Sequence, residues 1–297
     1  METRKTALIC HGGGMKSAFA AGVIYALGKD LGVNYFDIAI GASSSAPTLA
    51  YYLAGQLEEL KDCWEKEAIN MLGRTRYAFL KGEPLFNLDY MAGEMMKKKF
   101  PLNVAKVENS PIDFYIPYYN YKTDKLEYYH NHAQEQKLDI WQALRATMTI
   151  HDQFLSQGQG ESCYVDPALA DPMVYQKAVD SGATHFMVIS NSPTFDWTIR
   201  GWMGLKMFKI FQAKNFPELM KDRLNQYSRL RKQSVEDFVK FKNGKQLLLV
   251  QPPASAKIKF LAKDAAEIKR AMDWGKKTIL KHKNSPVMAW FSERFES

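Results

Sequence analysis

No stretch of the sequence reaches the run of about 18 apolar residues that a membrane span needs. The N-terminal METRKTALIC has neither the apolar stretch nor the small-residue cleavage site of a secretory signal. Cysteine is sparse: Cys10, Cys63 and Cys163 are odd in number and far apart, which argues against a disulfide framework and offers no zinc spacing. The expectation is a protein of the reducing cytoplasm. There is no internal repeat and no low-complexity linker. Nucleotide signatures are missing as well. In HGGGMKS, residues 11–17, Ser17 stands where a dinucleotide fingerprint has its last glycine, and Lys16–Ser17 is out of frame for a phosphate loop. The six histidines, His11, His130, His132, His151, His185 and His282, sit in no motif that recommends a triad base. Surface or satisfied-core duty is the expectation for each, with His11 and His151 the two nearest to the motifs below.

What is present suits an α/β protein. The 297 residues are 46% hydrophobic and 24% charged, enough apolar material for one large core or two small ones. The net charge of +8 is concentrated: residues 198–250 hold 12 Lys and Arg against 4 Asp and Glu, which leaves the remainder balanced. Such a stretch suits a solvated helical face or an anionic bilayer. Within it, GWMGLKMFKIFQAKNF, residues 201–216, mixes Trp202, Phe208, Phe211 and Phe216 with Lys206, Lys209 and Lys214. It reads either as a helix packed on the core or as one lying on a membrane surface. No nucleic acid is expected as a partner.

KTALIC, residues 5–10, reads as a short buried strand that ends in a glycine loop, and apolar spacing turns helical from Ser17 to Leu27. Phe36–Ile40 and Ala46–Leu53 repeat the strand–loop–helix order. Two such units within 55 residues favour a parallel sheet covered by helices. Further strands are expected at Ile112–Tyr121, Lys125–Tyr129, Ala183–Ile189 and QLLLVQ, with helices at 57–72, 139–148, Val174–Ser181 and through most of the tail.

Three serines follow the second strand in FDIAIGASSSAPTLAYYLAG, residues 36–55. A nucleophile elbow, G-x-S-x-G, seats its serine on a tight turn between strand and helix. Ser43 alone has a glycine two residues before it, Gly41, and would sit at the strand's C-terminal edge, where open parallel sheets place their sites. Ser44 and Ser45 would then lie in the helix's first turn and satisfy free amides. The competing reading is that all three serines only cap the helix. Gly12–Gly14 open on the same edge, and consecutive glycines let backbone N–H groups converge on an anion such as an oxyanion.

Three blocks, ALICHGGGMKSAFAAGVIYAL, IAIGASSSA and YVDPALADPMVYQKAVDSGATHFMVISNSP, together resemble the signature blocks of the patatin-like phospholipases. The resemblance continues through EPLFNLDYM and FPELMKDRLNQYSRL to AMDWGKKTI. It implies a three-layer α/β hydrolase fold over residues 1–196 and a mostly helical C-terminal extension over 197–297. It implies a lipid acyl hydrolase with a Ser–Asp dyad: Ser43 as nucleophile, Asp166 as general base, and Gly12, Gly13 and Gly14 as the oxyanion hole. Phospholipid, lysophospholipid or a smaller acyl ester is the implied substrate, with no metal or organic cofactor and with peripheral membrane contact through residues 198–250. The alternative is a catalytically impaired relative that binds lipid or a protein.

Four positions depart from the family's pattern. Ser17 and Ser45 replace glycines of the first two motifs. Pro167 follows Asp166, where the family has glycine. ATMTIHD, residues 146–152, carries His151 near the usual proline. These departures point to altered substrate choice or weakened activity without deleting the dyad.

Overall fold

The computed structural model describes residues 4–72, 86–149, 163–194, 218–262 and 264–292. Its centre is a sheet of seven strands: β1 (Thr6–Cys10), β2 (Ile38–Gly41), β3 (Asp113–Asn120), β4 (Lys125–His130), β5 (Tyr164–Val165), β6 (His185–Ile189) and β7 (Gln246–Val250). The order is β4-β3-β2-β1-β6-β7, with β5 added to β3. The inner pairs β3-β2-β1-β6-β7 are parallel, whereas β4 and β5 run antiparallel to β3. The strand run that the tail was expected to contain is β7, which takes the edge beside β6.

A parallel sheet must be covered on both faces, and a strand's side chains alternate between them. In β1, Leu8 and Cys10 point into one cluster, with Phe19 and Val23 of α1 (Ala18–Lys29) and Leu49 of α2 (Ser45–Leu53). Ala7 and Ile9 point into the other, with Val174, Ala178 and Phe238. The fold is therefore a mostly parallel mixed sheet with helices on both sides. The stretch 57–72, expected as one helix, changes its winding: α over Leu57–Asp62, wider over Cys63–Glu67, and tighter over Ala68–Met71. Among the described residues no helix is long and apolar enough to cross a membrane. The amphipathic stretch 201–216 and His151 lie outside the described residues.

The helix Ala265–Leu280 crosses α1 at a distance that only glycine allows. A Cβ on Gly22 would lie 2.0 Å from the Met272 carbonyl oxygen, and one on Gly275 would lie 2.1 Å from that of Phe19. Gly93, on the helical segment Tyr90–Lys99, faces open space. Replacing a helical glycine by alanine ordinarily stabilises by about 0.5–1 kcal/mol. Gly93→Ala should follow that rule, while Gly22→Ala should destabilise by roughly 1–3 kcal/mol through overpacking. Equilibrium denaturant unfolding of the two variants checks this, and a stabilised Gly22→Ala would contradict the helix crossing.

Candidate active site

The loops after β1 and β2 leave the sheet side by side. Both sheet partners of β1 are parallel to it, so the C-terminal edge gathers the turns from all three strands. The loop after β1 holds His11 and Gly12–Gly14, and the loop after β2 holds Ala42–Ser44. Ser43 has φ 52°, in the left-handed region that a non-glycine residue occupies at a cost of about 1–3 kcal/mol. Its amide donates to Thr147 Oγ1 at 2.9 Å. Gly12 lies directly against it: a Cβ there would sit 2.7 Å from Ser43 Cβ and 3.5 Å from its Oγ.

The Ser43 side chain lies close enough to the Asp166 carboxylate to favour its ionised form. Asp166 follows β5 and is held on both sides. Its amide donates to the Thr149 carbonyl at 2.8 Å, and its Oδ1 accepts from Ala168 N–H at 2.9 Å. Proline at 167 does remove one donor, but it opens the tight turn Pro167–Leu169, where its missing N–H costs nothing. The next amide takes over the contact with the carboxylate. Only 7% of Asp166 is exposed. Burial pushes its carboxyl up to about 6, and the neighbouring Ser43 side chain and the Ala168 amide oppose that shift.

Ser44 and Ser45 act differently from expectation. Neither caps α2 through its side chain; both reach across to the first loop. Ser44 Oγ donates to the Gly14 carbonyl at 2.9 Å and lies 2.8 Å from Ser17 Oγ. Ser45 Oγ donates to the His11 carbonyl at 2.8 Å and lies 3.2 Å from Ser17 Oγ. Asn191, just after β6, completes the network: its Nδ2 donates to the His11 carbonyl at 2.6 Å and reaches Ser17 Oγ at 3.1 Å, while its Oδ1 accepts from Ala20 N–H. Thus two of the positions that depart from the glycine pattern, Ser17 and Ser45, are hydrogen-bonded to each other in the interior.

His11 is buried beside Phe238, ring centroids 5.7 Å apart. Burial lowers its pKa to about 4, against a hydrogen bond with the Met173 backbone, and Arg231 lowers it further. It is neutral at physiological pH. Burial lowers Lys16 too, again with a contribution from Arg231. Tyr227 and Arg231 belong to the helix Glu218–Asn243, which brings them to this edge of the sheet. A small apolar cavity opens beside Ser44, lined chiefly by Pro47, Tyr51, Trp64 and four methionines, Met71, Met91, Met95 and Met148. Sequence reasoning missed Thr147 and Asn191. Thr147 lies in the ATMT run already singled out, and Asn191 follows an expected strand, but nothing in the spacing marks either as a partner of the serines.

The family model for patatin-like phospholipases matches residues 8–176, more than half of the chain and all of the elements just described up to the Asp166 turn. The chain belongs to the patatin-like phospholipase family. An uncharacterized protein of Escherichia coli K12, YjjU, is 24% identical over 194 residues, 64% of this chain and 53% of that protein. The chain thus spans about half the length of the curated relative it matches.

The buried carboxylate has a thermodynamic signature. The folded-state pKa of Asp166 is above its unfolded value, so the folded protein binds that proton more tightly. The group therefore lowers stability as pH rises from about 4 through about 6, and the full penalty is present above. Asp166→Asn should raise stability at pH 8 by about 2–3 kcal/mol, because each tenfold difference in proton affinity between the folded and unfolded chain is worth about 1.4 kcal/mol. The gain should shrink towards pH 4. Urea unfolding of both proteins at the two pH values measures it, and a destabilised variant at pH 8 would refute the buried-carboxylate account.

Proposed function

We propose that the protein is a lipid acyl hydrolase that cleaves a fatty-acyl ester through an acyl-Ser43 intermediate. The observation that carries this reading is the buried Asp166 carboxylate close to Ser43, which sits on its left-handed turn. A carboxylate pushed up towards 6 is still ionised at neutral pH yet basic enough to take the serine proton as Oγ attacks the ester carbonyl. Gly12, Gly13 and Gly14 present backbone amides to the oxyanion of the tetrahedral intermediate. Asp166 then returns the proton to the departing alcohol. Water attacks the acyl-serine with Asp166 again as base, which releases the fatty acid and restores Ser43. The apolar lining of the small cavity beside Ser44 suits contact with an acyl chain.

A fluorophosphonate ester should label Ser43 and neither Ser44 nor Ser45, as read by peptide mapping of the adduct. Ser43→Ala and Asp166→Asn should each remove nearly all hydrolysis of short-chain esters, because the two groups act as one unit. The wild-type kcat/KM should fall with unit slope as pH drops below about 6. An adduct on Ser44 would overturn the elbow register, and near-full activity in Asp166→Asn would move the search for the base to His11 or His151. Folded protein that takes no label would be an impaired relative that binds lipid or protein.

Peripheral contact with an anionic membrane through residues 198–250 is part of the same reading. In the described portion, the helix Glu218–Asn243 exposes Arg229, Lys232 and Lys240 together with Leu219 and Val239. Co-sedimentation with anionic vesicles should weaken between about 50 and 500 mM salt, as the Debye length shortens. Binding that ignores salt would remove the electrostatic part.

A further inference from the structure

At the opposite edge of the sheet, the β3–β4 hairpin gathers a second set of groups. Asp113 begins β3 and pairs with Ile38, the first residue of β2, whereas Ser43 lies beyond that strand's last residue. His130 ends β4, and His132 lies two residues on. We propose that Asp113, His130 and His132 form a binding site for a divalent transition-metal ion of the zinc class, separate from the ester site.

The donor atoms are already nearly in place. Asp113 Oδ1 is 3.1 Å from His130 Nε2 and 3.1 Å from His132 Nδ1. All three atoms lie within 4.8 Å of one another. Tetrahedral zinc with bonds of about 2.0 Å sets its donors roughly 3.3 Å apart, so two of the three edges already match. Two imidazoles and one carboxylate are a donor set such an ion prefers. The histidines are a quarter and two-fifths exposed, which leaves an entry path and room for a water as the fourth ligand.

The protonation pattern points the same way. His132 Nε2 lies 2.8 Å from the Ser110 carbonyl oxygen, so it carries the proton and donates. Asn131 Nδ2, 3.2 Å from the same nitrogen, already spends its two hydrogens on the Val107 and Ile112 carbonyls. In the neutral ring Nδ1 is then a lone pair, and it faces a carboxylate oxygen. Two acceptors at 3.1 Å need a cation between them, either a second proton or a metal. The Nε2–H bond to a backbone carbonyl is also the outer contact that fixes a metal-binding imidazole in its tautomer. The frame is rigid: buried Asn131 accepts from Phe114 N–H at 2.7 Å, and His130 stacks on Tyr115 with centroids 4.4 Å apart.

The test uses the full chain freed of metal with a chelator. Titration with Zn²⁺ by calorimetry, and with Co²⁺ by visible absorption, should show one site per chain with a nitrogen–oxygen tetrahedral spectrum. His132→Gln and the double variant His130→Gln/His132→Gln should weaken binding by about 100-fold or more, the upper end of the loss seen when outer contacts alone are removed. Zn²⁺ should raise the melting temperature of the wild type and leave that of the double variant unchanged. Melting of each variant in chelator establishes that it is folded. His185→Gln should bind as the wild type does. No uptake by wild type would mean that protons alone hold the cluster and would overturn the proposal, as would wild-type affinity in the folded double variant.

Discussion

The buried hydrogen bonds among Ser17, Ser44, Ser45, Asn191 and the His11 carbonyl hold the candidate site together. They tie the loop after β1 to the loop after β2 and to the start of α1. Each bond is worth about 1 kcal/mol net, but an unmade one in the interior costs more. Removing one member therefore costs more than its own bond, because it leaves buried partners unpaired. It explains how this chain accommodates serine at two positions where its family has glycine. Each hydroxyl supplies the partner the other needs, so the two departures compensate each other.

Around that lock the site stores strain and charge. Ser43 is held in the left-handed region by its neighbours, with its amide fixed by Thr147. Asp166 is held out of water, with its amide fixed by Thr149. Residues Thr147–Thr149 thus position both members of the proposed dyad from one side, while the glycine loop approaches Ser43 from the other. A strained serine beside a desolvated carboxylate costs stability, an arrangement that persists where function requires it.

The two ends of the sheet gather different polar groups because the strand directions differ. The parallel centre directs loops from β1, β2 and β6 to one edge, where the serines and glycines converge. The antiparallel β3–β4 pair brings the end of β4 back to the start of β3, at the other edge, where Asp113 meets His130. A hairpin of this kind can assemble a polar cluster without disturbing the candidate site at the other end.

The alternation of apolar and glycine-rich stretches dictated the strand–loop–helix units, and QLLLVQ was legible as a strand from composition alone. Ser43 was singled out by Gly41 two residues earlier, and Asp166 by resemblance to a family motif. Local spacing carries such information because an elbow is a local turn. It carries none about partners distant in the chain. That Ser44 and Ser45 reach Ser17 rather than cap their own helix depends on which strand lies beside β2, and so does the role of Asn191, 146 residues away from Ser45. The histidines at 130 and 132 looked unremarkable because their carboxylate partner lies on another strand, 17 residues earlier in the case of His130. The pattern of side chains determined the elements, whereas strand order and register, settled by burying both faces of the sheet, decided which polar groups met.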